Sequence, residues 1–427
     1  MSLKLYYDPY DINCFRGEPT TNLFTAAYPT ANGGFAFPYT SSYRGIWTPN
    51  GVQTASINRY NNPGNVNCCP SFFTYQNNVY LTASTVYCYS AFYKVVNNDY
   101  GNANYLYRYE YNSGGTYLTE AGVWSSVNRI PYPGGWYRIF GTFTTQATTA
   151  YINTYSFTYE YNTDNTQIAV NHQLEKKNHL TNYAGAGGTR GVTVATGGGL
   201  VDLTGNNNNG DLTYGSYVTT TVFHNNTFYF DGASANNCIR VLDANIAANL
   251  LSSGKSFTIV VWANKLANAT NTSTFLFGYR DSSSYGINLL LYGTGNTSTD
   301  FGFAVEKNGG ASLSSRGGAV NTSGWHMYTG VYNNDGMYKN SIVKYYDTTQ
   351  VGSMVSSSSS TSAWTKPVTS QGGCIAIGTA PNTVNTANSI HNLNGYIGEI
   401  RIYDHALTAA EVSTLYKLGI QKHIWVL

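Results

Sequence analysis

Alternation between apolar and polar residues is the clearest pattern in the first half of the chain. In the segments Val86–Tyr93, Tyr105–Tyr111, Trp136–Thr145 and Ala150–Tyr161, large apolar or aromatic residues recur at about every second position. A period of two residues is typical of a β-strand with one buried and one solvated face. Short clusters of Asn, Gly, Ser and Pro separate these segments and indicate turns. The pattern predicts an antiparallel β-sandwich.

The second half follows a Gly-rich stretch, Ala184–Gly199, and contains a further series of short strand-like segments. They are Asn226–Gly232, Ser256–Trp262, Thr274–Gly278, Ile287–Tyr292, Asp300–Val305, His326–Tyr332, Ser341–Tyr346, Ile375–Gly378 and Gly395–Tyr403. One helix is predicted at Thr408–Lys417, where Thr408 and Glu411 form a capping box. The predicted fold class is all-β, with two antiparallel β-sandwiches of the jelly-roll type and one short C-terminal helix.

The composition excludes several classes of partner. Charged residues make up only 10% of the 427 residues, whereas aromatic residues make up 15% and include 39 Tyr. The net charge is +2 and the longest cationic cluster is Lys176 and Lys177, so a nucleic-acid partner is not expected. No apolar stretch approaches the roughly 18 residues that span a membrane, and the first residues, MSLKLYYDPYD, do not resemble a signal peptide.

Five motifs occur in order in the second half. They are LVDLTGNNNNGDL (200–212), FYFDGASANNCIRV (228–241), SFTIVVWANK (256–265), GWHMYTGVYN (324–333) and LNGYIGEIRIYDHALTAAEVSTLYK (393–417). Together they resemble the laminin-G-like branch of the concanavalin A-like lectin/glucanase superfamily, over approximately residues 199–418. The resemblance implies a β-sandwich with Trp262 buried on a central strand.

The first half contains TNLF (21–24), YCYSAFYKV (87–95), GGWYRIFGTFTT (134–145) and HQLEKKNHLTNYAGAGGTRG (172–191). These motifs resemble the carbohydrate-binding-module-like jelly rolls of tailed-phage structural proteins. The segment LKLYYDPYDINCFRGEPTT (3–21) resembles the strand that precedes the Asp202 turn in laminin-G-like phage proteins. We therefore predict that residues 20–190 are a jelly roll inserted into a discontinuous domain of residues 1–19 plus 195–418, with 419–427 as an apolar tail.

The acidic residues do not indicate a catalytic site. A glycosidase needs two carboxylates across a cleft, and no pair with the spacing of the glucanase relatives occurs. Glu399 lies within the strand motif GYIGEIRIY, and we interpret it as a surface partner of Arg401 or Lys344. No catalytic residue is predicted, and the protein is expected not to be an enzyme.

Aromatic side chains in turn-rich segments are the candidates for glycan binding. We select Trp47, Tyr100 and Tyr105, with ordinary surface packing as the alternative for each. Trp136 lies within a strand motif, and we predict that it belongs to the core.

Calcium is the one cofactor that the sequence could accommodate, through oxygen ligands from Asp202, Asn206 and Asp231. The alternative is that these residues only form turns. The six Cys residues show no metal-ligand spacing, so they are either buried thiols or, for the pair at 68 and 69, partners of a disulfide with Cys88.

The tail holds large apolar residues beyond Gly419, which we expect to end the helix as its C′ residue. Ile420, Ile424 and Trp425 then either pack on their own sandwich or contact a neighbouring subunit.

The resemblances imply a non-enzymatic structural protein on the surface of a tailed-phage virion, as a capsid decoration, head fibre, tail fibre or adhesion component. Such a protein is made in the host cytoplasm. Its partners are other virion proteins, copies of itself and host-surface polysaccharide. The alternative is a free-standing carbohydrate-binding, lectin-like adhesion protein.

Overall fold

The structure is a computed structural model, and it divides into two compact units, residues 1–19 plus 191–427 and residues 20–190. We call them the discontinuous unit and the inserted unit. The described residues are 2–11, 13–15, 17, 19–25, 57–60, 71–95, 104–124, 129–158, 165–212, 222–224, 227–232, 238–242, 255–266, 273–280, 286–293, 299–306, 312–334, 340–357, 374–383, 386–387 and 391–423. Strands are numbered β1 to β29 along this part of the chain.

The discontinuous unit contains two large antiparallel sheets. The first is formed by β1 (Leu3–Tyr7), β13 (Val222–His224), β14 (Thr227–Asp231), β16 (Phe257–Lys265), β22 (His326–Asn334), β23 (Asn340–Tyr346), β24 (Thr349–Gln350), β25 (Val355–Ser357) and β29 (Asn394–Tyr403). The second is formed by β15 (Ile239–Leu242), β17 (Ser273–Arg280), β18 (Gly286–Tyr292), β19 (Thr299–Glu306), β20 (Ser312–Ser315), β21 (Ala319–Val320) and β26 (Cys374–Ile377). Strands β27 (Pro381–Thr383) and β28 (Thr386–Ala387) form a separate pair.

The inserted unit contains a four-stranded and a five-stranded antiparallel sheet. The four-stranded sheet has the order β4 (Ser71–Tyr80), β10 (Tyr151–Thr158), β6 (Asn104–Tyr111), β7 (Tyr117–Trp124). The five-stranded sheet has the order β3 (Ile57–Tyr60), β11 (Asn165–Glu175), β5 (Val86–Val95), β9 (Trp136–Thr144), β8 (Arg129–Tyr132). Strands β2 (Thr20–Thr21) and β12 (Thr189–Arg190) pair with each other at the two ends of this unit.

Within the described residues, the prediction of an all-β chain with one C-terminal helix is confirmed, and the burial pattern explains the strand sequences. The core of the discontinuous unit lies between its two sheets, where Ile259, Phe277, Leu289 and Ile400 are fully buried. Strand β16 is apolar at nearly every position because the terminal helix covers its other face. Trp262 of this strand is buried beneath the helix, as the resemblance implies.

The N-terminal segment belongs to the core of the discontinuous unit. Strand β1 pairs antiparallel with β29, and Phe15 forms a bridge with Leu200. The side chains of Leu5, Tyr7 and Phe15 are at most 2% exposed in this core. Residues at opposite ends of the sequence, such as Leu3 and Tyr403, therefore complete one sandwich.

The terminal helix, α1, spans Ala409–His423 and is longer than predicted. Its start agrees with the sequence, because Thr408 and Glu411 form the expected capping box. The prediction that Gly419 ends the helix is wrong. Gly419 lies inside the helix and is buried against Trp262, where a Cβ atom would come within 2.4 Å of the indole ring. Glycine at this position permits close helix–sheet packing and does not act as a stop signal.

His423 stacks between two indoles at the end of α1. Its ring centroid lies 4.8 Å from that of Trp262 and 5.1 Å from that of Trp325. Neither ring nitrogen has a hydrogen-bond partner among the described residues. Burial, together with the nearby charges of Lys422 and Arg401, lowers the pKa of His423 to about 3.

We expect the stability of the discontinuous unit to fall in acid because of His423. The unfolded chain binds a proton at this imidazole near pH ~6.5, whereas the folded chain does not until pH is about 3. The contribution is therefore complete above the unfolded pKa and is lost as the pH falls between the two values, at up to about 1.4 kcal/mol per pH unit. His423→Phe should lessen this slope in urea unfolding followed from pH 7 to 4. An unchanged slope would contradict the assignment.

Candidate functional site

Four tyrosines lie side by side across the four-stranded sheet of the inserted unit. In the strand register, Tyr151 of β10 pairs with Tyr80 of β4 on one side and with Tyr111 of β6 on the other. Tyr111 in turn pairs with Tyr117 of β7. Residues opposite each other in neighbouring strands point to the same face, so the four rings form one row across the sheet.

The rings of this row are in contact and accessible to solvent. The ring centroids of Tyr80 and Tyr151 are 6.0 Å apart, those of Tyr151 and Tyr111 are 5.1 Å apart, and those of Tyr111 and Tyr117 are 6.2 Å apart. Tyr80 is 77% exposed and Tyr117 is 49% exposed, so the row ends in two open rings. The two central rings are half-buried by their neighbours.

A second row adjoins the first. Tyr107, Tyr109 and Tyr111 occupy alternate positions of β6. The residue before each of them is buried, and these residues are Leu106, Arg108 and Glu110. The Tyr109 ring lies 5.3 Å from that of Tyr107 and 6.1 Å from that of Tyr117. We call the six residues Tyr80, Tyr107, Tyr109, Tyr111, Tyr117 and Tyr151 the tyrosine face.

Glu120 is the carboxylate of this face. It stands opposite Tyr109 in the register of β7 and β6, and it is exposed. The negative charge of Glu120 acts on the hydroxyls of Tyr107 and Tyr117. Burial, followed by the hydrogen bond to Glu120 and its negative charge, raises the pKa of Tyr107 above its usual value. The Tyr107 hydroxyl therefore stays protonated well into alkaline pH.

Buried charges hold the sheet in place beneath the tyrosine face. The Arg108 Nε donates to Glu110 at 3.0 Å, and the Arg108 guanidinium lies 3.9 Å from the centre of the Phe143 ring. Glu110 also accepts hydrogen bonds from the Gln146 backbone N–H at 2.9 Å and from the Thr149 hydroxyl at 2.6 Å. Because the buried carboxylate is fully hydrogen-bonded, the strand that carries three of the tyrosines has a fixed orientation.

The predicted glycan-binding residues relate only partly to this surface. Trp47 and Tyr100 lie outside the described residues. Tyr105 is the second residue of the same strand, β6, two positions before Tyr107, and its backbone pairs with Trp124 and Phe157. Its role stays a prediction. The sequence signal for the tyrosine face is the alternation in YLYRYEY, but the partners Tyr80, Tyr117 and Tyr151 come from other strands.

The turn chosen as a calcium site holds the N-terminal strand. One oxygen of the Asp202 carboxylate accepts hydrogen bonds from the backbone N–H of Tyr6 at 3.1 Å and from the Thr204 hydroxyl at 2.8 Å. The other accepts from the Asn208 backbone N–H at 3.2 Å. The Asn206 amide donates to two backbone carbonyls of β1. Such contacts are expected if Asp202 and Asn206 stabilise a turn, which is the alternative to calcium binding.

Asp231 lies at the exposed end of β14. Among the described residues, no group of three or more His, Cys, Asp or Glu side chains is placed to hold a metal ion. Calcium binding stays a prediction. Cys88, which could have formed the predicted disulfide, is a free buried thiol, and burial raises its pKa to about 12.

The residues predicted for assembly lie at or beyond the C-terminal limit of the described residues. Ile420 is partly buried against the cluster that α1 forms with the sheet, and Ile424 and Trp425 lie outside the described residues. The assembly role stays a prediction. No helix in the described part of the chain is long and apolar enough to span a membrane.

Glu399 is not the surface residue that the sequence predicts. It is only 5% exposed, and its carboxylate pairs with Arg401 and, at 3.5 Å, with Lys422 of α1. Lys344, the other partner considered, donates instead to the carbonyls of Phe301 and Gly317. The terminal helix covers this face of the sheet and buries Glu399. The alternation along the strand does not show the helix, so the sequence alone placed Glu399 in solvent.

The described part of the chain is thus nearly all β, and its inserted unit carries an exposed aromatic surface. Residues 242–413 match the family model of the concanavalin A-like lectin/glucanases superfamily. This part of the chain is therefore a laminin-G-like domain of that superfamily, which confirms the resemblance of the second half. No curated protein matches the chain significantly.

Several solved structures are similar at low sequence identity. A mutant of the NanB sialidase from Streptococcus pneumoniae is 14% identical over 44% of this chain and 27% of that chain, with a TM-score of 0.33. Botulinum neurotoxin type C, whose cell entry depends on two ganglioside molecules, is 15% identical over 51% and 48%, with a TM-score of 0.37. The CBM40 of a Ruminococcus gnavus sialidase, bound to α2,3-sialyllactose, is 9% identical over 38% and 82%, with a TM-score of 0.29. The chain thus spans about a quarter of the first and half of the second.

Proposed function

We propose that the protein binds glycans through the tyrosine face of its inserted unit and that it does so without catalysing their hydrolysis. The observation that carries the proposal is the register-matched row of Tyr80, Tyr151, Tyr111 and Tyr117 beside Glu120. Tyrosine rings offer apolar faces to the C–H groups of a sugar, and their hydroxyls offer hydrogen bonds to its oxygens. A carboxylate beside such rings can accept hydrogen bonds from sugar hydroxyls.

Ordinary surface packing does not account for this row. Single exposed aromatic side chains are common, but a contiguous exposed patch on a soluble domain usually marks an interaction site. Here six tyrosines from four strands are in ring contact on one face, and two of them keep about half or more of their surface in solvent. The face is also rigid, because it stands on strands held by buried hydrogen bonds.

We expect Tyr151→Ala to weaken glycan binding at least tenfold, about 1.4 kcal/mol. Tyr151 is central to the row and contacts the rings of both Tyr80 and Tyr111, so its removal interrupts the row. Glycan-array screening of the intact protein followed by calorimetry would measure the effect. Tyr137→Ala is the matched control, because Tyr137 is a half-buried strand tyrosine of the same unit that lies on the other sheet. An equal loss of glycan affinity in both variants, or no loss in Tyr151→Ala, would show that the tyrosine face is not the binding site.

The absence of catalysis is supported by the acids of the inserted unit. Glu110 and Glu175 are fully buried and hydrogen-bonded, so among its described residues Glu120 is the carboxylate that faces solvent. Glycoside hydrolysis by the usual mechanisms needs a second carboxyl group within about 5–10 Å. The test is hydrolysis of the glycans that bind, where release of reducing ends by the pure protein would reject this part of the proposal.

For the biological setting, we propose the surface of a tailed-phage virion, as a decoration, fibre or adhesion component that contacts other virion proteins and copies of itself. The support is the resemblance of the inserted unit's motifs to phage jelly rolls and the charge-poor, tyrosine-rich composition. Mass spectrometry of purified particles would test it. Absence of the protein from the particles, with glycan binding intact, would favour the free-standing lectin-like adhesion protein.

A further inference from the structure

We infer that the ligand of the tyrosine face is an uncharged polysaccharide chain that lies across the strands, and that Glu120 excludes acidic glycans. This inference rests on the proposed function, since it names the class of glycan and the direction in which it binds. Three features of the tyrosine face support it: the direction of the row, the sign of its charge and the hydrogen-bonding groups beside it.

The row of tyrosines gives the direction. Tyr80, Tyr151, Tyr111 and Tyr117 are successive partners in the register, so the line through them crosses the strands. Their ring centroids are separated by 6.0, 5.1 and 6.2 Å, and each step is about as long as one sugar residue of an extended chain. A single sugar would cover one or two rings. A chain of several sugars would cover the row, so affinity should rise with chain length.

The charges of the face exclude acidic sugars. Glu120 is exposed next to the row, and it carries a negative charge at neutral pH. The nearest described cation in sequence, Arg129, belongs to the other sheet, where its guanidinium lies over the Tyr137 ring. Arg108 of β6 points to the inner face, where it is paired with Glu110 and stacked on Phe143. A sialic or uronic acid carboxylate on the row would therefore approach the carboxylate of Glu120, and like charges repel.

The hydrogen-bonding groups suit a neutral sugar. An ionised carboxylate offers about four lone-pair sites, and Glu120 is exposed beside the hydroxyls of Tyr107 and Tyr117. Its oxygens can accept hydrogen bonds from sugar hydroxyls. Asn153 lies two positions after Tyr151, and its side-chain oxygen accepts the Asn78 backbone N–H at 2.8 Å. This contact fixes the amide, whose NH₂ group is then the donor available to a ligand.

The experiment compares neutral and acidic oligosaccharides on the full-length protein. The neutral probes are cello-, manno- and xylo-oligosaccharides of one to six units, and the acidic probes are oligogalacturonides of the same lengths and 3′-sialyllactose. We expect at least one neutral series to gain tenfold or more in affinity from one to four units and then to level off. Acidic probes should bind at least tenfold more weakly, and raising the salt concentration should reduce this difference.

The variants Glu120→Lys and Glu120→Gln identify the residue responsible. Glu120→Lys should reverse the preference and improve binding of the acidic probes at least tenfold. Glu120→Gln keeps the size of the side chain and should reduce the discrimination between neutral and acidic probes. It should weaken the binding of neutral probes less than Glu120→Lys does. Both substitutions change an exposed side chain, and an unchanged thermal midpoint would show that the fold is intact.

The outcomes separate this inference from the proposed function. If no probe or array glycan binds to the wild-type protein, the proposed function fails and the inference fails with it. If acidic glycans bind best and Tyr151→Ala abolishes their binding, the function stands and the inference is overturned. Neutral binding that is independent of chain length, or a preference that is insensitive to Glu120→Lys, would also overturn it.

Discussion

A fragment that starts at residue 195 and ends at 427 is expected to be insoluble or far less stable than the intact chain. It lacks Leu5, Tyr7, Cys14 and Phe15, which are at most 2% exposed in the core of the discontinuous unit. Each large apolar side chain contributes roughly 1.5–3 kcal/mol when it is buried. Their combined loss is comparable to the whole stability of a typical domain, about 5–15 kcal/mol.

The backbone of the missing segment matters as much as its side chains. Without β1, the C-terminal half of β29 (Ile400–Tyr403) loses its hydrogen-bonded partner on one edge, and the Asp202 carboxylate loses the N–H of Tyr6. Circular dichroism, solubility and thermal unfolding would measure the effect.

The matched control is the fragment 20–190, which we expect to fold alone. Its ends pair with each other through β2 and β12, and its core residues, such as Phe24, Tyr89 and Ile152, all come from within it. A soluble and cooperatively unfolding fragment 195–427 would show that the insertion model is wrong.

Gly419→Val is expected to destabilise the discontinuous unit by about 3 kcal/mol or more, since overpacking a core typically costs about 1–3 kcal/mol for far smaller conflicts. A Cβ atom at this position would lie 2.4 Å from two carbon atoms of the Trp262 indole. The indole cannot shift easily, because it is stacked between Tyr416 and His423. Replacing a glycine inside a helix would by itself stabilise the helix by less than about 1 kcal/mol. The steric conflict with Trp262 is larger, so the net effect on the free energy of unfolding is destabilising.

Leu418→Val is the control for this substitution. It introduces the same β-branched residue one position earlier in α1, where the side chain is 61% exposed. We expect it to change the free energy of unfolding by less than about 0.5 kcal/mol. Urea unfolding followed by tryptophan fluorescence would compare the two variants. Similar unfolding curves for both would show that the helix does not pack on Trp262 as described.

The sequence predicts strands well where one face is buried, because the alternation of side chains is a local property. Segments such as Trp136–Thr145 and Gly395–Tyr403 agree with β9 and β29 to within one residue. The start of α1 was also predictable, since the capping box is a contact over three residues. Its end was not, because Gly419 is explained by an indole more than 150 positions away in the chain.

The candidate site depends on strand register, which the sequence does not determine. The alternation in YLYRYEY predicts that its four tyrosines share one face, yet nothing local shows that Tyr80 and Tyr151 stand beside Tyr111. A slip of one residue in either strand would send its tyrosine to the other face. For this reason, the sequence pointed to aromatic residues in turns, such as Trp47 and Tyr100, as the glycan-binding candidates.

The pairing of β2 with β12 makes the inserted unit exchangeable. Thr20 lies opposite Arg190 and Thr21 opposite Thr189, so the chain leaves and re-enters the discontinuous unit through two adjacent strands. A replacement cassette needs only neighbouring ends to fit between residues 19 and 191, and it leaves the host core and its terminal helix untouched. Recombination at these two junctions could give the protein a new binding specificity in one step, while the discontinuous unit keeps its own contacts.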